Sequence, residues 1–285
     1  MEEENINTIY QAKLSKGDFE KLSTFIYSNF GIKMPKEKMI MLQSRLQKRL
    51  KALKMNTFND YIDYVFSKKG QLEEVINMID EVSTNKTDFF REPAHFDYIN
   101  QIILPELFDP VIKYKKIKIW SAGCSTGEEV YTLGIVLSEA KRTYTNLDFD
   151  ILGTDISNKV LKNAAQGIYK EDRIFNIPLE IKKRYFLRSK DQNAKLVRVV
   201  PQLRNHSRFG RLNFIDNSYN VNESFDIIFC RNVLIYFDRD TQEKVINRLC
   251  RHLNPGGFFF LGHSESITNL DVPLIQIKPT FFRRK

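Results

Sequence analysis

The sequence predicts an all-helical N-terminal domain followed by a mainly parallel α/β sheet domain. Residues 1–80 contain few glycines and repeat apolar residues at helical spacing, whereas from residue 117 onward apolar strand-like runs alternate with helical segments. Such alternation is typical of a parallel sheet covered by helices on both faces. A glycine-rich corner also joins the first strand-like run to its helix, which is where open sheets of this kind bind ligands.

Composition narrows the class of protein. The chain has 285 residues, 42% of them hydrophobic, which is enough for a sizeable core. No apolar run approaches the roughly 20 residues that span a bilayer, and the acidic start MEEENINTIY is unlike a signal peptide. We therefore expect a cytoplasmic protein without membrane insertion. Cys124, Cys230 and Cys250 lack metal-ligand spacing, so neither disulfides nor a metal site is expected. The net charge of +9 favours an acidic partner: nucleic acid, membrane surface or protein.

Helical periodicity predicts helices at residues 19–30, 39–53, 58–66 and 72–79. The second is the clearest, because its apolar residues fall within an arc of about 80°. These residues are Met39, Leu42, Leu46, Leu50 and Leu53. A set of cations lies on one flank of this stripe. They are Lys38, Arg45, Lys48 and Arg49. They form either a solvated helix face or a docking face for an acidic partner.

The predicted domain boundaries follow changes in composition. We expect a helical domain at residues 1–80, a polar linker at 81–95 and the sheet domain at 96–285. Within the sheet domain, residues 169–205 interrupt the alternation: a short helix precedes KRYFLR and KLVRVV, which are joined by a polar loop. This pattern predicts a small inserted antiparallel hairpin. Near the end, the turn NPGG at residues 254–257 is expected to precede a strand at 258–261.

The most informative stretch is KIKIWSAGCSTGEEVY at residues 116–131, a predicted strand, loop and helix start. Gly123 and Gly127 allow a tight turn and a close approach to a ligand. Two acids, Glu128 and Glu129, open the helix, whereas a pyrophosphate requires bare helix N–H groups there. The acids favour a ligand that carries hydroxyls and positive charge. The absence of G-x-G-x-x-G also argues against an NAD-linked dehydrogenase.

Further polar residues follow later strands. Asp155 ends the second strand-like run, where an acid accepts hydrogen bonds from ribose hydroxyls, although a strand-end Asp also serves as a helix cap. Arg231 and Asn232 follow the run FDIIF at another carboxyl end. Cys230 is expected to be a small buried hydrophobe rather than a nucleophile, since no histidine is near in sequence. His263 either lines the cleft or is satisfied by backbone groups.

The linker contains STNKTDFFRE at residues 83–92. Its two adjacent phenylalanines are expected to anchor it to a core, which leaves Asn85, Thr87 and Arg91 to face a site. Arg91 has the geometry to pair bidentately with a carboxylate. In the alternative interpretation, Arg91 and Glu92 make ordinary capping or ion-pair contacts.

Five stretches, in chain order, together resemble the CheR family of chemotaxis receptor methyltransferases over nearly the whole chain. They are STNKTDFFRE, IWSAGCSTGEEVY, LGTDIS, FDIIFCRNVLIYFD and LNPGGFFFLGHSES. The resemblance implies a class I S-adenosylmethionine-dependent methyltransferase domain of Rossmann-like fold, with a small inserted antiparallel β-subdomain and a preceding all-α substrate-docking domain. It also implies methyl transfer from S-adenosylmethionine to glutamate side chains of chemoreceptors in sensory adaptation, with S-adenosylhomocysteine as product.

The resemblance also implies the cofactor contacts, with the adenine between the third and fourth strands. These contacts are Asn85, Thr87, Arg91, Glu129, Asp155, Asn213, Phe214, Arg231 and Asn232. A glutamate is already ionised near pH 7, because its ordinary pKa is about 4.3. The transfer therefore needs no general base, and we expect Arg91 and Tyr236 to orient the substrate carboxylate.

The expected partners are the acidic cytoplasmic methylation helices of chemoreceptors, met by the basic flank of Lys38, Arg45, Lys48 and Arg49. Some family members also bind a receptor C-terminal peptide by adding a strand to a hairpin with a glycine-rich loop. The loop here, SKDQNAK, has no glycine. Two alternatives remain open: a nucleic-acid methyltransferase, although the cations are not interleaved with aromatics, and a non-catalytic regulator that senses S-adenosylmethionine.

Overall fold

The computed structural model describes residues 12–108 and 115–285. The acidic start at residues 1–10, which we predicted not to be a leader, lies outside these ranges. Within them, no helix combines the length and apolar character needed to cross a membrane.

Short helices with sequence-encoded ends build the N-terminal part. Their bounds are α1 (Lys16–Phe30), α2 (Met39–Leu53), α3 (Phe58–Phe66), α4 (Lys68–Glu73) and α5 (Val75–Val82). Ser15 and Thr57 cap α1 and α3 with their hydroxyls, and Gly31 ends α1 at a φ of 69°. The predicted apolar stripe of α2 forms the core of this part, since Leu42, Leu46 and Leu50 are fully buried.

One helix prediction was wrong. The segment at residues 72–79 is divided between α4 and α5, with the break at Glu74. Leu72, which we placed in the apolar pattern, is 81% exposed. The carboxylate of Glu74 is instead buried, where it accepts hydrogen bonds from Tyr61 and Arg49. This buried acid replaces an apolar residue in the helical pattern.

A seven-stranded sheet of order β6-β2-β1-β7-β8-β10-β9 forms the second part. The strands are β1 (Lys115–Ala122), β2 (Leu147–Asp155), β6 (Ser207–Arg211), β7 (Phe225–Cys230), β8 (Leu253–Leu261), β9 (Leu274–Lys278) and β10 (Phe281–Arg284). The pairs from β6 to β8 are parallel, and β10 is antiparallel to both of its neighbours. The mainly parallel sheet predicted from the sequence is therefore present.

Helices cover both faces of this sheet. They are α6 (Ala94–Tyr98), α7 (Leu104–Leu107), α8 (Glu128–Ala140), α9 (Asn158–Gln166), α10 (Leu179–Tyr185), α11 (Pro201–Asn205) and α12 (Arg239–Arg251), with a π-helical turn at Ile99–Ile103. Alternate residues of β7 enter different cores: Ile227 and Phe229 pack with residues of α8, and Ile228 packs with residues of α12. This alternation is the period of 2 of a strand that is buried on both faces.

A small antiparallel sheet interrupts the main domain. Its order is β3-β5-β4, with β3 (Ile168–Lys170), β4 (Phe186–Arg188) and β5 (Leu196–Val199). The predicted hairpin corresponds to β4 and β5, whereas β3 was missed because its three residues are too short to show alternation.

The predicted turn NPGG is part of β8. Phe225 pairs with Leu253 and Ile227 with Phe258, so β8 bulges between these pairs, and Gly256 has a φ of 73°. The turn chemistry was recognised correctly, but it produces a bulge within a strand rather than a loop before one.

Candidate active site

A cleft opens at the carboxyl ends of β1, β2, β6 and β7, beside the N-terminal helices. All residues with an implied cofactor contact line this cleft, together with Tyr236 and Lys38. The cofactor set is Asn85, Thr87, Arg91, Glu129, Asp155, Asn213, Phe214, Arg231 and Asn232. They converge because the carboxyl ends of parallel strands meet at one edge of the sheet. Their contacts with a cofactor remain predictions.

The loop after β1 turns through positive φ at Gly123 (89°), Ser125 (50°) and Gly127 (92°). A Cβ on Gly123 would lie 2.3 Å from Val233 Cγ2, and one on Gly127 would lie 2.9 Å from the Cβ of Ala164. Neighbouring protein side chains therefore also require both glycines, and their positive φ agrees with the predicted tight turn. The close approach of a ligand to them remains a prediction.

The two acids at the start of α8 have different environments. Glu128 is 1% exposed and accepts hydrogen bonds from Thr126 Oγ1 at 2.6 Å and Arg173 Nη2 at 2.7 Å, which ties down the helix start. Glu129 lines the cleft, and one of its oxygens accepts from Ser121 Oγ at 2.7 Å. Only the second acid is available to the cleft, as the resemblance implies.

A buried guanidinium links the turn after β7 to the loop and the linker. The Arg231 side chain is 2% exposed, with Nη1 2.9 Å from Glu129 Oε2 and Nη2 3.0 Å from Glu92 Oε2. Nη2 also donates to the Arg91 carbonyl at 2.5 Å. Burial opposes ionisation of Glu92, but the charge and hydrogen bond of Arg231 hold the Glu92 pKa below its usual value. One cation between two acids thus fixes three segments to one another.

A carboxylate that sequence analysis did not single out holds the turn after β7. Glu265 is 9% exposed and accepts backbone N–H groups from four residues at 2.7–2.9 Å. The donors are Asn232, Val233, Leu234 and Gly262. Burial raises the pKa of Glu265, while the four hydrogen bonds oppose that shift. The motif GHSES was the available sequence signal, because its acid closely follows a strand end.

Asp155 braces the glycine loop from the end of β2. It is 7% exposed, and its oxygens accept the N–H of Ser125 at 2.8 Å and of Ser157 at 3.0 Å. Burial raises the pKa of Asp155, and these backbone hydrogen bonds oppose the rise. The cap of α9 is the hydroxyl of Ser157, which accepts from Val160 N at 3.3 Å. Asp155 is therefore not the helix cap, and its proposed ribose contact remains compatible with its place on the cleft wall.

The aromatics of the linker anchor it, as expected. The Phe89 ring packs edge-on against Tyr169 and Phe186, at centroid distances of 5.0 and 5.4 Å, and Phe90 packs against Phe96 at 6.0 Å. Phe90 adopts a φ of 54°, a conformation that costs free energy for a side chain of this size. Tertiary packing therefore determines the path of the linker beside the cleft.

Two residues with a proposed catalytic role remain accessible. The Arg91 side chain is 32% exposed, and its Nη1 donates to the Lys86 carbonyl at 3.0 Å. Its Nε also lies 3.9 Å from Glu92 Oε1, which is the ion pair of the alternative interpretation. Tyr236 is half-buried on the cleft wall, with the Lys38 ammonium 6.0 Å from its ring centroid. Within residues 12–108 and 115–285, no hydrogen bond engages the Tyr236 hydroxyl.

At the other end of the cleft, the N-terminal helices form part of the wall. Asn213 Nδ2 donates to the Asn29 carbonyl at 2.8 Å, and Asn213 Oδ1 accepts from Ile215 N at 3.3 Å. A Cβ on Gly31 would lie 2.5 Å from Ile215 Cδ1. The contribution of the end of α1 to the cleft was not predicted, since no local sequence signal reports contacts between residues so far apart.

The basic flank is only partly available for docking. Arg49 forms a bidentate pair with Glu74, with both distances 2.8 Å, and Arg45 donates to the carbonyls of Val82 and Ser83. Arg49 is thus paired within the N-terminal domain, and Arg45 joins that domain to the linker. A docking role for these two arginines remains a prediction. Lys48 is 68% exposed beside Glu81, and Lys38 lines the cleft.

The structure excludes thiol chemistry at Cys230, which is fully buried and whose pKa is raised by that burial. Glu92, His95 and His263 present ligand-type atoms within 4.8 Å of one another. However, Arg231 Nη2 lies 3.0 Å from Glu92 Oε2, the oxygen nearest both imidazoles. A guanidinium thus already occupies the cationic position of this cluster, so we assign it to the ion-pair network.

The sheet order, the antiparallel β10 and the acids after β1 and β2 define the class: an S-adenosylmethionine-dependent methyltransferase of class I fold. Family models agree. "CheR methyltransferase, SAM binding domain" matches residues 85–281, and "CheR methyltransferase, all-alpha domain" matches residues 17–81. The chain belongs to the CheR methyltransferase family, and S-adenosylmethionine is its cofactor.

Individual relatives point the same way. The chemotaxis protein methyltransferase of Borreliella burgdorferi is 38% identical, over 89% of this chain and 89% of that protein. The chemotaxis protein methyltransferase of Escherichia coli is 35% identical, over 90% of this chain and 87% of that protein. A solved S-adenosylmethionine-dependent methyltransferase from Clostridium acetobutylicum is 18% identical, covering 65% of this chain and 54% of that chain at a TM-score of 0.32, a likeness too slight to add to these matches.

Proposed function

We propose that this protein transfers the methyl group of S-adenosylmethionine to glutamate side-chain carboxylates of chemoreceptors, giving glutamate methyl esters. Its family membership and the names of its relatives support the chemotaxis setting. The observation that carries the choice of acceptor is that a partly exposed guanidinium, Arg91, and the hydroxyl-bearing Tyr236 both line the cleft. Those two groups suit a carboxylate.

The chemistry requires alignment rather than proton transfer. A glutamate with an ordinary pKa of about 4.3 is ionised near pH 7, and its attack on a sulfonium methyl group neutralises both charges. The protein must hold the two at near-attack distance and exclude water. A strong ion pair with Arg91 would weaken the nucleophile, so a positioning hydrogen bond from Tyr236 complements it.

The cleft offers suitable groups along the length of the cofactor. We assign the adenine to the end with Asn213 and Phe214, the ribose hydroxyls to Asp155, and the methionine end to the region of Glu129 and the Arg231–Asn232 turn. Asn85 and Thr87 contribute from the linker. This assignment places the methyl group towards Arg91 and Tyr236.

For receptor binding, we propose that the cytoplasmic methylation helices approach the basic face at Lys38 and Lys48, which places the reaction in the cytoplasm. Both lysines lie on the side of the N-terminal domain next to the linker. Binding of a receptor C-terminal peptide would use β4, an edge strand of the small sheet. The glycine-free loop SKDQNAK makes this a secondary contribution.

The decisive experiment is transfer of tritiated methyl groups to receptor cytoplasmic fragments, followed by mild base. Carboxyl methyl esters release volatile methanol, whereas N-methyl groups survive, so we expect the label to become volatile. Receptor fragments with the candidate glutamates changed to alanine serve as the control and should not be labelled. Base-stable label on protein or RNA would exclude the glutamate ester, and binding without transfer would identify a sensor.

A further inference from the structure

Glu265 is a buried acid beside the cleft for which the proposed reaction has so far given no role. Its Oε1 accepts the N–H groups of Val233 and Leu234 at 2.9 and 2.7 Å, and its Oε2 accepts those of Asn232 and Gly262 at 2.8 and 2.7 Å. All four hydrogen-bonding positions of the carboxylate are therefore used, and they join the end of β7 to the end of β8. A group saturated in this way positions its neighbours rather than binding a ligand itself.

The residue most constrained by this contact is Asn232. It has a φ of 59°, its N–H is bound to Glu265, and its side-chain amide lies 3.5 Å from Glu92 Oε1. A Cβ on Gly262 would lie 2.4 Å from Asn232 Nδ2, so the side chain is also enclosed on that side. Among the residues that the structure describes, none donates to the Asn232 carbonyl. That carbonyl is therefore a backbone polar group, fixed by the turn, that Asn232 can offer to a ligand.

We propose that Glu265 is a positioning residue that fixes the Asn232 turn in its left-handed conformation, so that the Asn232 carbonyl accepts a hydrogen bond from the α-ammonium group of the cofactor. This inference rests on the cofactor orientation proposed above. Glu265 should affect only the binding of the methionine end of the cofactor. Its contacts lie at the turn after β7 and not at Asn213 or Phe214, where we place the adenine.

The chemistry of Glu265→Gln makes the proposal testable. Glutamine has the same shape but only one acceptor oxygen, and its NH₂ group would face two backbone N–H donors. Two buried donors would lose their partner, and the turn would relax. We expect affinity for S-adenosylhomocysteine to fall by about tenfold or more. Affinity for 5′-methylthioadenosine, which lacks the amino-acid end, should change less than about twofold.

Isothermal titration of both ligands with the full chain provides the measurement. Glu243→Gln is the matched control. Glu243 lies on α12, and its carboxylate likewise accepts a backbone N–H, that of Asp271 at 2.8 Å. Equal losses for the two ligands, or no loss for either, would overturn the role of Glu265. If wild-type protein did not bind S-adenosylhomocysteine, the cofactor assignment itself would fail, which is a separate outcome.

A double-mutant test shows whether Glu265 acts through Asn232, and binding of 5′-methylthioadenosine shows that each variant is folded. Glycine adopts positive φ without strain, so Asn232→Gly needs less help from Glu265 to hold the turn. In this background the further loss of S-adenosylhomocysteine affinity caused by Glu265→Gln should be smaller than in wild type. If the fold-loss of affinity in the double variant equals the product of the two single-variant losses, Glu265 does not act through Asn232.

Discussion

The cleft has two regions with different charge environments. We call the region of Arg231, Glu92 and Glu129 the floor, and the region of Arg91 and Tyr236 the mouth. At the floor, Arg231 is 2% exposed and lies between two acids at 2.9 and 3.0 Å. At the mouth, Arg91 is 32% exposed and its Nη1 contacts one backbone carbonyl. The charges of the floor are thus paired before any ligand arrives, whereas the mouth keeps a partly exposed cation for a second molecule.

This difference suits a transferase with a small cofactor and a protein substrate. A floor with internally paired charges holds polar groups in fixed positions, so binding a cofactor requires little reorganisation. Exposed cations at the mouth can attract many acidic protein surfaces without themselves being buried. Substitutions in each region can show whether the two are as separate as their contacts indicate.

Arg231→Met should have the largest effect. It leaves the half-buried Glu92 and Glu129 near each other without their buried cation, and loss of one partner of a buried ion network costs about 3–5 kcal/mol. We expect a loss of that order in urea unfolding and at least about a 100-fold loss of affinity for S-adenosylhomocysteine. Arg91→Met, at the more exposed position, should cost less than about 1 kcal/mol of stability. Equal stabilities of the two variants would remove the distinction between floor and mouth.

Tyr236→Phe tests the mouth at the chemical step. Loss of one hydrogen bond to a charged carboxylate should lower kcat about tenfold at saturating receptor, because that bond orients the nucleophile. KM for S-adenosylmethionine should not change, since the floor is intact. Tyr64→Phe removes a hydroxyl that bonds to Glu73 in the N-terminal domain and should have no effect on rate. Full turnover by Tyr236→Phe would show that the hydroxyl has no role.

Features that depend on local sequence could be predicted, whereas contacts between distant segments could not. The bounds of α2 and the glycine corner follow from local periodicity and from residues that act within one turn, so they were predictable. The ion pairs of Arg231 and the four contacts of Glu265 join segments far apart in the chain, and no local pattern encodes them. Charge alone could not show which cations were already paired.

One buried acid explains two features that the sequence did not show. Glu74 divides the helix that we predicted at residues 72–79, and its carboxylate pairs with Arg49. In the sequence, Glu74 looks like a surface residue because glutamate is rarely buried without a partner. Its partner lies 25 residues away, so both the helix break and the ion pair became visible only in the fold.

His95 offers a test of the floor through pH. It is fully buried against Glu92, with Nε2 2.9 Å from Thr280 Oγ1, and burial followed by the charge of Arg231 lowers its pKa to about 3. Between the ordinary value of about 6.5 and pH 3, the unfolded chain binds a proton that the folded protein excludes. The free energy of unfolding should therefore fall as pH drops through this window, by up to about 1.4 kcal/mol per pH unit from this group.

Two variants separate the contribution of His95 to this pH dependence from the contribution of the carboxylates. His95→Gln should show a shallower loss of stability in urea unfolding between pH 6.5 and 4 than wild type. Thr280→Val removes the hydroxyl but keeps the buried imidazole, so it should retain the steep slope. The same slope in His95→Gln and wild type would show that the imidazole under the floor is not held neutral.

The smallest effect is expected at the basic face. Lys38→Glu combined with Lys48→Glu should raise KM for receptor about three- to tenfold at low salt, because reversed charges repel an acidic helix, and the difference should vanish near 0.5 M salt. Lys68→Glu with Lys69→Glu makes the same charge change on α4 and should not alter KM. Arg49→Met should instead lower the Tm without affecting the salt dependence, since its charge is committed to the fold. A salt-independent rise in KM for the Lys38 and Lys48 variant would mean that the face acts by shape rather than by charge.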